Sequence, residues 1–439
     1  MSEQYITINQ AFEKVEKAHD LFIKNKANYR NRPVDKIRKV GEILLKNKQE
    51  YARVISEEMG KPVFESIAEI EKSALNCEFY AEHADEFLKD RKYSTERYEA
   101  TVRYEPLGVI LGVMPWNFPF WQVFRFAVPT ILAGNTIVVK HASNVPKSAQ
   151  IIEEIFLEAG FEEGFYFNLS LESKHIQALI EHPFIKAVSL TGSEKAGSSV
   201  ASIAGKEIKK SVLELGGSNA FIIMDDADLD KIIDKAINAR YRNAGQSCIA
   251  AKRFLVQEGI YEEFLTKFTP KVKALKMGDP FDESTEIGPL ARVDLAEELE
   301  EQVNKSVEMG AKILVGGKRK DAFYEPSILT EVTPEMPVFK EETFGPVAVV
   351  SKIKSFEEAV ELSNLTTFGL GVSICSENVD KYTDKAHLFE EGAVFFNELV
   401  RSDPKLPFGG VKKSGFGREL SEDGIREFVN TKTIVVSKN

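Results

Sequence analysis

The sequence predicts an α/β protein built on two parallel sheets. Short apolar runs rich in β-branched residues alternate with helical segments from residue 109 to residue 214. A second series of the same kind runs from residue 220 to residue 396. Strands that read as continuous apolar runs are buried on both faces, the pattern of a parallel sheet covered by helices. One segment differs: Tyr98, Ala100, Val102 and Tyr104 alternate with Arg97, Glu99, Thr101 and Arg103, the period of a half-exposed antiparallel strand.

The elements follow in order. Ala11, Val15, Ala18 and Phe22 recur at helical spacing. A second helix is expected from Pro33 through Ile37, Val40, Leu44 and Ile55, with Gly60-Lys61-Pro62 as its stop. A third is expected to carry Phe64, Ile67, Ile70, Ala74 and Phe79 on one face. The open edge of the strand at 97–104 needs a partner, from an oligomer contact or an intramolecular hairpin. Strands are expected at 109–113, 136–140, 165–169, 187–190 and 211–214, with helices at 120–133, 146–159 and 194–204. The second series has strands at 220–223, 253–256, 313–315, 347–350, 372–374 and 394–396, and a boundary near residue 217 separates the two. A last strand is expected at 433–436.

With 439 residues the chain has room for two or three domains. An apolar share of 43%, a charged share of 28% and a net charge of −11 without charge blocks fit a soluble globular protein and argue against a nucleic-acid surface. The three scattered cysteines, Cys77, Cys248 and Cys375, fit a reducing cytoplasm. The first residues do not read as a signal peptide, and no apolar run is long enough to span a membrane. The histidines and cysteines lack metal-binding spacing, so no metal site is expected.

Three stretches carry chemistry. Cys248 follows Gly245-Gln246-Ser247. A lone cysteine is usually core, but Gly245 permits a tight turn that exposes thiol and backbone N–H together. Glu214 stands at a strand end before Gly216-Gly217, where a carboxylate can activate water or simply cap a helix. Asn117, between Pro115 and Pro119, is either a turn residue or an amide donor for an oxyanion. Gly192-Ser193 opens a helix after a strand, a geometry that can bind phosphate, although the Gly-x-Gly-x-x-Gly spacing is absent. A thiol, a carboxylate and an amide donor suit covalent catalysis at a carbonyl, by a dehydrogenase or by a thiol hydrolase.

Together these stretches resemble the aldehyde dehydrogenase superfamily. Pro-Trp-Asn-Phe-Pro at 115–119, Glu-Leu-Gly-Gly at 214–217, Gly-Gln-Ser-Cys at 245–248, Glu-Glu-Thr-Phe-Gly-Pro at 341–346 and Pro-Phe-Gly-Gly at 407–410 occur in the family's order, over nearly the whole chain. The chain is most similar to its succinate-semialdehyde dehydrogenases. The resemblance implies a Rossmann-like NAD(P)-binding domain (1–94 and 107–217) and an α/β catalytic domain (218–412). It also implies oligomerisation strands (95–106 and 429–439) and a return to the cofactor domain at 413–428. Cys248 is then the nucleophile, Glu214 the base for water, and Asn117 with the Cys248 N–H the oxyanion hole. Val113, Trp116, Lys140, Ser143, Gly192, Ser193, Glu342 and Phe344 fall to the cofactor. Glu342 takes the nicotinamide ribose, Ser193 the pyrophosphate and Lys140 the adenosine ribose. Arg125, Arg242 and Ser402 match the family members' site for a remote substrate carboxylate. A homodimer or homotetramer is implied.

The sequence departs from the family's pattern in three places. The N-terminal segment is short. Ala250 stands where some relatives have a second cysteine. Lys140-His141-Ala142-Ser143 replaces Lys-Pro-Ser-Glu. The lost glutamate removes a repulsion toward a 2′-phosphate, so both NAD and NADP are expected to serve. Within the superfamily, a CoA-acylating enzyme is the competing reading, and Glu214 favours water.

Overall fold

The computed structural model describes residues 5–438. The first sheet has six strands in the order Gly415–Phe416, Lys210–Glu214, Ile185–Thr191, Val109–Met114, Thr136–His141 and Tyr166–Asn168. All are parallel except Gly415–Phe416, which runs antiparallel to Lys210–Glu214. The second sheet has seven, in the order Lys312–Val315, Ser327–Thr330, Val347–Ile353, Ala251–Gln257, Asn219–Ile223, Val372–Cys375 and Val394–Phe396. Only its first strand is antiparallel. The link between the sheets is short, from Glu214 to Asn219.

The buried strands justify the parallel reading. Thr136–His141 and Asn219–Ile223 are buried at every position, so helices must cover both faces. The helix Ile8–Asn25 buries Ala11, Val15, Ala18 and Phe22 as expected and starts at a Thr7–Gln10 capping box.

Three expectations need correction. The helix expected from Pro33 to Gly60 is two, Val34–Lys46 and Lys48–Met59, broken at Asn47. The apolar spacing runs on across the break, so only the backbone shows it. The third helix, Val63–Phe87, buries Ser66, Ile70, Ala74, Cys77, Ala81 and Ala84. That stripe keeps the spacing from Ile70, and Phe64 falls off it at 55% exposure. The strand Tyr98–Pro106 is central in its three-stranded antiparallel sheet, paired with Arg91–Ser94 on one side and Val429–Ser437 on the other. The sheet's free edges therefore belong to those two flanking strands. Arg91–Ser94, Ser327–Thr330 and Gly415–Phe416 were not legible beforehand, being short and without a clear period.

The carboxyl ends of the first sheet's strands lie together. Val113 is level with Lys140 and Leu190, and Thr191 with Glu214. Ligands of parallel sheets bind at that edge.

Candidate active site

Cys248 sits just after a run of three left-handed residues, Asn243 (φ 54°), Ala244 (φ 50°) and Gly245 (φ 73°). Such backbone is unfavourable for residues with a Cβ and must be held by its surroundings. Here the Glu65 carboxylate accepts from the Asn243 N–H at 2.8 Å. Asn243 Nδ2 donates to the Asn117 carbonyl at 3.0 Å and to the Gln246 carbonyl at 3.2 Å. Gln246 returns a bond from Nε2 to the Asn243 carbonyl at 3.1 Å and accepts from the Ala291 N–H at 2.9 Å. At Gly245 a Cβ would overlap the Gly345 carbonyl, so only glycine fits the turn.

The loop presents the half-buried Cys248 to a cavity of about 260 Å³. Phe118, Trp121, Arg125, Arg242, Ser402 and Phe408 are among its walls. Burial pushes the Cys248 thiol up to about 11, against the charges of Lys252 and Arg125. The Cys248 N–H makes no hydrogen bond among the described residues. Asn117 Nδ2 donates to the Gln246 carbonyl at 3.1 Å, which holds the amide beside the cysteine loop and leaves its second N–H unused there.

Glu214 is only 2% exposed. Its carboxyl faces Gly409, where an added Cβ would lie 2.7 Å from Oε1, and it is not part of the cavity wall around Cys248. Neither of its oxygens has a partner among the described residues. Burial, then the Glu419 carboxylate, push it well above the usual carboxylate range, against Arg125 and Arg418. Its surroundings thus favour the neutral carboxyl over the charged one, and only the charged form can take a proton from water.

The expected cofactor residues gather along the sheet edge. Ser193 caps the helix Glu194–Lys206 by accepting from the Ala196 N–H at 3.3 Å. Gly192 adds nothing that fills the space in front of that helix end: a Cβ there would meet only Leu190 and Ala196 at ordinary contact distance. Lys140 Nζ donates to Ser173 at 2.9 Å and has no ion pair among the described residues; Ser143 is exposed nearby. Trp116 and Phe344 meet edge to face at 5.9 Å, and Val113 is the penultimate residue of the strand Val109–Met114. Glu342 accepts from the Gly217 N–H at 3.0 Å and from Lys252 Nζ at 3.2 Å. Gly216 lacks the Cβ that would overlap the Glu342 carboxylate. A helix N-terminus with free space before it, an ammonium without an ion pair among the described residues and a carboxylate fit the phosphates and ribose hydroxyls of a dinucleotide. His141, in place of proline, is buried against the Tyr166 hydroxyl at 2.8 Å, and burial lowers it to about 3. It stays neutral and structural.

The three residues matched to a substrate carboxylate share the cavity but differ in state. Arg242 is exposed at its wall and has no ion pair among the described residues. Arg125 is buried and ion-paired with Glu419, with Thr191 Oγ1 at 3.4 Å and the Phe408 ring at 4.8 Å. Ser402 Oγ accepts from Trp121 Nε1 at 3.1 Å and from Lys72 Nζ at 2.7 Å. Sequence reasoning missed Lys72, Lys252, Ser173 and Glu419. Each has a partner distant in sequence, although Lys252 also donates to the nearby carbonyls of Ser247 and Cys248.

The profile of the aldehyde dehydrogenase family matches residues 3–434. The chain belongs to the aldehyde dehydrogenase family. It is 49% identical over 391 residues to a probable succinate-semialdehyde dehydrogenase [NADP(+)] of Synechocystis sp., covering 88% of this chain and 86% of that one. It is 47% identical over 388 residues to the Escherichia coli succinate semialdehyde dehydrogenase [NAD(P)+] Sad, covering 88% and 84%. Among solved structures, succinic semialdehyde dehydrogenase from Streptococcus pyogenes in complex with NADP+ superposes with a TM-score of 0.96 at 37% identity, over 100% of this chain and 97% of that one. The aldehyde dehydrogenase fold thus accounts for both sheets and for the arm between Arg91 and Pro106.

Proposed function

We propose that this aldehyde dehydrogenase oxidises succinate semialdehyde to succinate, with NAD or NADP as the hydride acceptor. The single observation that carries the substrate is Arg242, an unpaired guanidinium on the wall of the cavity that holds Cys248. Relatives at 45–49% identity that bear the succinate-semialdehyde dehydrogenase name support it.

Cys248 releases its proton to solvent and attacks the aldehyde carbon, giving a thiohemiacetal whose oxyanion lies between the Cys248 N–H and the Asn117 amide. A nicotinamide dinucleotide bound along the sheet edge supplies the hydride acceptor. Glu342, Trp116 and Phe344 would orient it, Val113, Gly192 and Ser193 would line its phosphate side, and Lys140 with Ser143 would hold its adenosine ribose. Loss of hydride leaves a thioester on Cys248. Glu214, once ionised, takes a proton from water, the hydroxide adds to the thioester, and the thiol departs with the carboxylic acid as product. One aldehyde and one water give one acid, one hydride to the acceptor and one proton to solvent. Arg242, Ser402 and the Arg125 wall hold the remote carboxylate, so that chain length sets the aldehyde against the thiol.

The exposed edges of the three-stranded sheet, with Tyr93, Val435 and Val436 open to solvent, support assembly as a homodimer or homotetramer. Three free cysteines support a reducing cytoplasm. No helix among the described residues is long and apolar enough to cross a membrane. Initial rates of NAD(P)H formation with a panel of aldehydes and both cofactors test the reading. Succinate semialdehyde is expected to lead the panel, with both cofactors active. No turnover of any aldehyde by the wild type, or full turnover by Cys248→Ala, contradicts it.

A further inference from the structure

Six charged side chains line the cavity of Cys248: Glu69, Lys72, Arg125, Arg242, Glu398 and Arg401. Four already have ionic partners. Glu69 is paired with Lys61, Arg125 with Glu419, and Glu398 with Arg401 at 3.7 Å. Lys72 and Arg242 have none among the described residues. An anion entering the cavity therefore meets two cations, Lys72 and Arg242, that have no ion-pair partner among the described residues, beside Arg125, which is paired with Glu419.

Lys72 projects from the helix Val63–Phe87. Its Nζ donates to Ser402 Oγ at 2.7 Å and lies 4.0 Å from the centroid of the Trp121 ring, whose Nε1 also donates to Ser402 Oγ at 3.1 Å. Ser402 thus accepts two hydrogen bonds, which fills its acceptor capacity and commits its own O–H to donation elsewhere. An ammonium has three donors. One is on Ser402 and one side faces the indole, which leaves donor capacity for an oxygen in the cavity.

Resting on the carboxy-aldehyde reading above, we propose that Lys72 determines substrate specificity. With Arg242 and the Ser402 hydroxyl it takes the remote carboxylate, beside Arg125, which is ion-paired with Glu419. The pair gives the carboxylate one compact and one planar cation.

The surroundings make this contact depend on pH. Burial, then the charges of Arg125 and Arg242, pull the Lys72 ammonium down to about 7, while Asp403 and Glu69 act the other way. The ammonium grips a carboxylate below that pKa and loses its charge above it. The preference for a carboxylate substrate should therefore fall as pH rises through neutrality.

The test compares kcat/KM for succinate semialdehyde and for butanal in wild type, Lys72→Met, Lys72→Gln and Arg242→Gln, from about pH 6 to pH 9. Taking the ratio of the two substrates cancels the titration of the thiol. In the wild type the ratio should be well above one and fall across the range. Either Lys72 variant should lower it by about tenfold at pH 6, the size of one charge-assisted hydrogen bond, and flatten its pH dependence. A Lys72 variant with the wild-type ratio, beside an Arg242→Gln that loses it, overturns the role of Lys72 and leaves the carboxylate reading standing. A wild-type ratio near one overturns the carboxylate reading itself. Where neither Lys72 variant folds, the wild type decides alone: a ratio above one but flat with pH overturns the proposal.

Discussion

The Lys252 ammonium and the Glu342 carboxylate are paired at 3.2 Å directly behind the nucleophile. The same ammonium donates to the carbonyls of Ser247 at 2.6 Å and Cys248 at 2.8 Å. One buried cation thus fixes the cysteine loop, lowers the thiol pKa and holds the carboxylate matched to the nicotinamide ribose.

Lys252→Met removes all three effects. The thiol pKa should rise further, and alkylation of Cys248 by iodoacetamide at fixed pH should slow by about tenfold or more, as a pKa higher by about one requires. The KM for the cofactor should rise as well, because Glu342 loses its tether. Unchanged labelling rates would show that the loop holds the thiol without Lys252.

Gly245→Ala should cost both stability and activity. A left-handed residue with a Cβ costs roughly 1–2 kcal/mol. Overpacking against the Gly345 carbonyl adds about 1–3 kcal/mol. Thermal unfolding and initial rates check this, and a variant with native melting and native rates contradicts the close approach.

Only Cys248 should label readily. Burial raises its thiol to about 11, whereas Cys375 is raised to about 12 and Cys77 still further. Cys248 alone adjoins the cavity. Peptide mapping after brief alkylation near pH 9 should find Cys248 modified and the other two intact. Since the thiolate reacts and the thiol does not, the labelling rate should keep rising with pH to about 10 without an earlier plateau. A plateau near pH 8 would mean a lower thiol pKa in solution.

The sequence disclosed what depends on neighbours in the chain. The alternation that marks the two sheets is local, as are the Gly245 turn before Cys248 and the cap at Ser193. What escaped is tertiary. Lys72 lies among charged residues of a long helix, and its place in the cavity depends on Trp121 and Ser402 from far along the chain. The Arg125–Glu419 pair joins one sheet's helix to the returning C-terminal segment, a contact that no local pattern announces. The break at Asn47 left no mark because the apolar spacing resumes on its far side.

The central claim is that Cys248 carries the acyl group and Glu214 releases it. Glu214→Gln cannot take a proton from water, so its thioester should persist. Rapid mixing with succinate semialdehyde and NADP should give a burst of NADPH followed by a slow steady state. Acid quench during that steady state, followed by peptide mass analysis, is the most direct measurement. The account predicts a succinyl thioester on Cys248 in most of the enzyme. A burst with Cys248 unmodified, or with the acyl group on another residue, would contradict it.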